Sequence, residues 1–278
     1  MLDNTQRVAE QNIELVVFVA LMPEARPLIE HWRLRLLSSS LPFAMYQNGA
    51  KVLVVTGMGK ANMAAAVAFS LGVLPNQNAV LINLGIAGHP SYTLGSLWLA
   101  HKISDAESGK SWYPPMSFLG QTPSTALMSF SRPHADYQYD ALYDMEASAF
   151  YEIACRFSSP ELIHSIKLVS DNREQGVATI NPQQVVEWIT AKVPEIEKLL
   201  MALHRARHSV PEFDAELYQT LLDQWHFSAT NAIRLRYLLQ KWRLLMDEDF
   251  NWKETGAGNA KQLLNSLEQH LESIAFSL

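Results

Sequence analysis

Three short apolar runs constrain this chain more than any other feature. Leu15-Val16-Val17-Phe18-Val19-Ala20, Lys51-Val52-Leu53-Val54-Val55-Thr56 and Ala79-Val80-Leu81-Ile82-Asn83 are continuous, rich in β-branched residues and closed by proline or glycine. A strand that faces water on one side alternates apolar with polar residues; a continuous run is a strand buried on both faces. Between the runs lie segments of helical spacing, Glu24 to Leu37 and the alanine-rich Asn62 to Leu71. Leu97-Trp98-Leu99-Ala100 with Ile103 reads as a fourth strand, and Ile163 to Val169 as a later one after a helix from Met145 to Phe157. Residues 105–140, rich in Ser, Pro and aromatics, read as loops with short strands. Strands alternating with helices predict an α/β fold whose sheet is covered on both faces.

From Pro182 the pattern becomes helical throughout. Val185–Ala206, Phe213–Trp225, Ala229–Met246 and Ala260–Phe276 each carry helical spacing, and Pro211 breaks the chain between the first two. This places a domain over 1–210 and a helical appendage over 211–278. In Ala229–Met246 the stripe Ile233, Leu235, Leu238, Leu239, Trp242 and Leu245 has basic neighbours Arg234, Arg236, Lys241 and Arg243. It reads as a helix packed on its own domain with a solvated polar face, in preference to a docking surface.

Composition excludes several classes. At 278 residues, 48% hydrophobic and 18% charged, the chain has enough apolar material for a large core. A net charge of -6 disfavours a partner bound through phosphates, so no nucleic acid is expected. Met1 to Gln11 is polar and Leu15–Met22 is too short to cross a bilayer, which gives the expectation of a cytoplasmic protein without a membrane segment. The single cysteine, Cys155, rules out an intrachain disulfide and reads as the buried face of a helix. His204 and His208 are spaced i, i+4, but no acidic residue completes a zinc pattern. No G-x-S-x-G elbow is present, and Gly57-Met58-Gly59 lacks the third glycine of a dinucleotide fingerprint.

The chemistry-bearing residues sit where the predicted strands end. Tyr143-Asp144-Met145-Glu146-Ala147-Ser148-Ala149 puts two carboxylates beside a small-residue helix start, and Val169-Ser170-Asp171 follows 25 residues later. On residue type alone, Asp171 is a helix cap or Asx-turn residue, Glu146 an acid favoured by the helix dipole and Met145 a core methionine. Gly85, Ala87 and Gly88 make a tight strand-exit turn.

The ordered set Val17–Glu24, Gly57-Met58-Gly59-Lys60, Asn83-Leu84-Gly85-Ile86-Ala87-Gly88, Asp144-Met145-Glu146-Ala147 and Ser170-Asp171 resembles the nucleoside phosphorylase/nucleosidase superfamily, over about residues 15–208. The nearest branch is that of methylthioadenosine/S-adenosylhomocysteine nucleosidases and related hydrolases. The resemblance implies a three-layer α/β/α sandwich with a mixed central sheet, no metal or organic cofactor, a homodimer, and cleavage of the N-glycosidic bond of a purine-type nucleoside, with or without a 5′ modification. It implies that Asp171 protonates the departing base, that Glu146 holds the ribose hydroxyls with Met145 packed on the sugar, and that Gly85, Ala87, Gly88 and Ser170 lie against the ligand. Glu24 takes the place of the residue that positions water if Ala20 aligns with the family's strand-end alanine. If Met22 is aligned instead, Ala25 takes it. The first register brings the apolar strand and Leu28 into line.

Phosphorolysis would need a cationic cradle. No arginine lies between Arg35 and Arg132, which favours water as the nucleophile, with Arg26 and His89 left as possible anion ligands. The 58 positions from Gly88 to Glu146 make a shorter segment than the nucleosidases carry there. No base-stacking phenylalanine is matched; Phe118, Phe130 and Tyr143 are substitutes. Phosphate-dependent cleavage and a non-catalytic nucleoside-binding or regulatory protein are the alternatives.

Overall fold

The computed structural model describes residues 12–75, 78–117, 119–120, 122–176, 180–208, 214–246 and 250–275. The chain divides into two compact units, Met1–Arg207 and His208–Leu278. The boundary expected near residue 210, with Pro211, falls on residues outside those described, as does Phe118.

In the first unit the three apolar runs become β1 (Leu15–Val19), β4 (Lys51–Val55) and β5 (Val80–Gly88). They are parallel, with β1 between the other two, and β1 is buried at every position. Helix α1 (Met22–Trp32) follows β1 and α2 (Lys60–Val73) follows β4. The helix expected to run to Leu37 stops at Trp32: Arg33 takes a left-handed conformation (φ 53°) and its N–H closes the last turn. The chain then reverses into β2 (Arg35–Leu36), which pairs antiparallel with β3 (Ala44–Asn48), itself a hairpin partner of β4.

The remaining strands are β6 (Leu97–Asp105), β7 (Ser111–Trp112), β8 (Ser124–Ser129), β9 (Leu142–Asp144) and β10 (Ile163–Asp171). The sheet is mixed, and part of it closes on itself. β5 pairs with β10, β10 with β6, β6 with β8, β8 with β9, and β9 returns to β5 at Gly88↔Tyr143. The ring explains why β5 does not end at Asn83. Gly85 to Gly88 are extended strand residues bonded to β10, with Gly88 the register partner of Asp171. The strand-exit turn expected there is therefore absent.

Helix α3 (Ala147–Ala154) is shorter than the expected Met145–Phe157. It packs on α2, while α4 (Pro182–Arg207) packs on α1. At the C-terminal end of α4, His204 is exposed as expected, and its Nε2 (3.0 Å) and Arg207 Nη1 (2.9 Å) both meet Glu14. Cys155 follows α3 half-buried, and burial pushes its thiol up to about 11, away from nucleophilic use.

The second unit contains α5 (Ala215–Gln224), α6 (Ala229–Leu245) and α7 (Ala260–Ala275). Its core joins Leu221, Leu235, Leu238, Leu239, Leu263 and Leu267. Four residues of the predicted α6 stripe are buried (Leu235, Leu238, Leu239 and Trp242), whereas Ile233 and Leu245 are exposed. Among the described residues no helix is long and apolar enough to cross a membrane.

Candidate active site

Parallel strands covered on both faces leave their carboxyl ends as the place where loops converge. Here β1, β5 and β10 end together, and the closed ring adds the β9–α3 junction to the same place. A cavity of about 190 Å³ lies there, lined among others by Ala20, Glu24, Ala87, Gly88, Met145, Glu146, Ser170 and Asp171. Of the catalytic and ligand-contact residues that the resemblance implies, all but Gly85 line it.

Glu24 stands in the first turn of α1 and is buried. Its Oε2 accepts from the N–H groups of Ala20 (2.8 Å) and Leu21 (2.9 Å), and its Oε1 from Ile86 N–H (3.0 Å). The first pair makes it a capping residue for its own helix; the third ties β5 to it. Those bonds use three of a carboxylate's roughly four acceptor positions, leaving one for a ligand or water. Burial raises its pKa above the usual carboxylate value, with the amides and the Lys167 cation opposing. Gly85 explains itself here. A Cβ on Gly85 would stand 2.9 Å from Glu24 Oε1, so the missing side chain makes room for the acid rather than for a turn.

Glu146 is the residue before α3, and its Oε1 accepts from Gly59 N–H at 2.7 Å. Gly59 sits at φ 94°, a conformation open to glycine, which supplies that N–H at the start of α2. Burial and the neighbouring Asp144 charge push Glu146 up to about 7, against the pull of Lys167 and Gly59. Met145 beside it is half-buried.

Asp171 ends β10. Ser170 Oγ donates to its Oδ1 at 2.5 Å and the Tyr137 hydroxyl donates to its Oδ2. A Cβ on Gly88 would stand 2.6 Å from that same Oδ2, so Gly88 also clears space for a carboxylate. Asp171 is no helix cap: it is the last residue of a buried strand, and the turn after it is held by Asn172, whose Oδ1 accepts from Glu174 and Gln175.

Two residues of the site carried no role in the sequence reading. Lys167 is 1% exposed, in the middle of β10, with Nζ 2.9 Å from Asp144 Oδ2. Desolvation lowers its proton affinity, but the charges of Asp144, Glu146 and Glu24 outweigh that and keep it a cation. Asp144 in turn accepts from Ser129 Oγ (2.6 Å) and Ala147 N–H (2.9 Å), fixing the start of α3. A lysine between Ile166 and Leu168, inside a strand expected to be buried, was the available signal.

The aromatic wall is formed by Tyr143 and His134, which line the cavity, with Phe130 stacked on both at 5.1 and 4.4 Å. The anion ligands suggested by sequence are not assembled. Arg26 is exposed, and His89 points its Nδ1 at the N–H groups of Ser91 (3.2 Å) and Tyr92 (3.1 Å), with its ring stacked on Tyr92.

No model of a known protein family matches the sequence, and no curated protein matches it. Solved structures do match. The apo form of 5′-methylthioadenosine nucleosidase from Arabidopsis thaliana is similar with a TM-score of 0.58 at 17% identity, over 69% of this chain and 97% of that one. A 5′-methylthioadenosine/S-adenosylhomocysteine nucleosidase from Campylobacter jejuni matches at 0.55 and 13% identity, over 68% of this chain and 99% of that one. Futalosine hydrolase of Helicobacter pylori matches at 0.51 and 14% identity, over 66% and 98%. At these identities the likeness is one of architecture: about two thirds of this chain shares the fold of these nucleosidase and hydrolase structures.

Proposed function

We propose that this protein hydrolyses the N-glycosidic bond of a purine-type nucleoside, with or without a 5′ modification, and releases the free base. The observation that carries the reading is the convergence of Glu24, Glu146 and Asp171 on one cavity. Cleavage passes through a ribosyl cation-like transition state, and a pocket of buried carboxylates stabilises positive charge developing at C1′. Asp171 delivers a proton to the departing base. Glu146 accepts from the ribose hydroxyls and fixes the sugar beneath the base. Glu24, held by three amides and beside Lys167, orients water for attack at C1′. Met145 and the Tyr143–His134 wall supply the apolar contacts, and Ala87, Gly88 and Ser170 the close floor.

Water is favoured over phosphate by charge. Among the described residues no arginine or lysine lines the cavity, and its four acids would repel an anion. The hydrolases among the fold neighbours point the same way. In this reading α1 with α4 and α2 with α3 are the outer layers of a three-layer α/β/α sandwich. Residues 1–210 form the nucleoside-binding domain, 211–278 are an appendage, and the assembly is a homodimer.

One observation favours a second reading, a nucleoside-binding protein without turnover. The cavity falls below the roughly 300–1,000 Å³ usual for small-ligand pockets. The test is incubation of the protein with a panel of purine nucleosides, 5′-thio-substituted ones included, following free base with and without phosphate. Hydrolysis predicts release that is indifferent to phosphate. Release that requires phosphate identifies a phosphorylase, and thermal stabilisation by a nucleoside without any release identifies a binding protein.

A further inference from the structure

We propose that Tyr137 is a positioning residue for Asp171, seating the carboxylate in one orientation; this rests on the reading of Asp171 as the proton donor. Three features seat the phenol. Tyr137 is held in a left-handed backbone conformation (φ 45°), which a bulky residue adopts only when its surroundings enforce it. Its carbonyl accepts from Arg173 Nη2 at 2.7 Å, two residues beyond Asp171, so the loop is clamped to the segment that carries the acid. Its ring meets Tyr143 edge-on, with centroids 5.3 Å apart.

Gly88 completes the arrangement from below. A Cβ there would stand 2.6 Å from Asp171 Oδ2 and 2.9 Å from the Tyr137 hydroxyl, so the strand is notched at the point where the two groups meet. The phenol is 2% exposed and has no solvent to bond instead. Burial and the Asp171 carboxylate together raise the proton affinity of the phenol, so it stays a donor throughout the working pH range.

The consequence is chemical. Each carboxylate oxygen has two lone pairs, so Asp171 can accept from Ser170 and Tyr137 and still carry a proton toward a base nitrogen. Holding both oxygens at once fixes the plane of the carboxyl group, so its remaining lone pairs keep one direction. Removing the Tyr137 hydroxyl therefore leaves a carboxyl group held through Ser170 alone and free to turn.

Two measurements test this. The first is absorbance titration of the tyrosines in wild type, Asp171→Asn and the Asp171→Asn/Tyr137→Phe double variant. Asp171→Asn is expected to bring one tyrosine down toward the ordinary value of about 10, and the double variant to lose that titration. If no tyrosine moves, the contact is refuted, whatever the protein does to nucleosides. The second is the kinetics of base release by Tyr137→Phe, which keeps the ring packed on Tyr143. A fall in kcat of about tenfold is expected, with KM little changed. A loss carried by KM instead, or no fall in kcat, would leave Tyr137 only a structural part and overturn the proposal. Wild type that releases no base under any condition would overturn the acid reading with it, while the titration still reports on the contact itself.

Discussion

The two units fill their interiors in opposite ways. Around β5 and β10, Glu24, Asp144, Glu146, Lys167 and Asp171 are all buried, with Asp144, Glu146 and Glu24 set about the Lys167 cation. In the helical unit the interior is leucine and aromatic side chains, and the Arg234–Glu268 pair stays at the surface. Apolar burial alone is enough to hold helices together at a gain of roughly 25 cal/mol per Å². Buried charge brings no such gain and carries a desolvation cost that geometry must offset. Buried charge of this kind is what the proposed chemistry asks of the first unit, whereas packing alone accounts for the interior of the second.

The sharpest way to break that comparison is Lys167→Met, which keeps volume and removes the only cation among those acids. With Asp144, Glu146 and Glu24 left uncompensated, a loss of about 3–5 kcal/mol is expected in denaturant unfolding. A change under about 1 kcal/mol would mean the cluster is not charged as described. In the helical unit, Leu267→Ala should cost about 2–5 kcal/mol through cavity formation, with base release unaltered because Leu267 faces only that unit's core.

Glu146 sharpens the comparison through pH. Its proton is bound more tightly in the folded state, at about 7 against the ordinary 4.5, so folded protein takes up more protons than unfolded across that window. Stability is then fully present below about 4.5 and falls as pH rises toward 7. Glu146→Gln should remove that fall and be the more stable by about 3 kcal/mol at pH 8. A variant with the same pH dependence as wild type would contradict the assignment. Smallest of all, Arg234→Ala should leave the thermal midpoint unmoved, because its partner is solvated.

Much of this was legible in the sequence, for identifiable reasons. β1, β4 and β5 announce themselves because strands buried on both faces admit no polar alternation, and α4 to α7 because their leucines recur at helical spacing. β2 and β3 do not: Arg35–Leu36 continues a helical pattern, and Ala44–Asn48 is half polar. The Asn48-Gly49 dipeptide before β4 was the hairpin signal, with Gly49 at φ 57°. The three acids could be brought to one cavity by resemblance, since their order along the chain resembles that of the nucleosidases. Gly85 and Gly88 read in the sequence as a close approach to ligand or as a turn; the turn is absent, and their missing side chains make room for Glu24 and Asp171. Tyr137 lies in a loop without periodicity, and its place is set by Arg173 and by ring closure at Gly88, neither visible before folding.

The most direct measurement is base release without phosphate by wild type, Glu24→Gln and Asp171→Asn, each checked for an unchanged unfolding midpoint. The account predicts a fall of at least about 100-fold for both variants. Turnover at the wild-type rate by Asp171→Asn would contradict it.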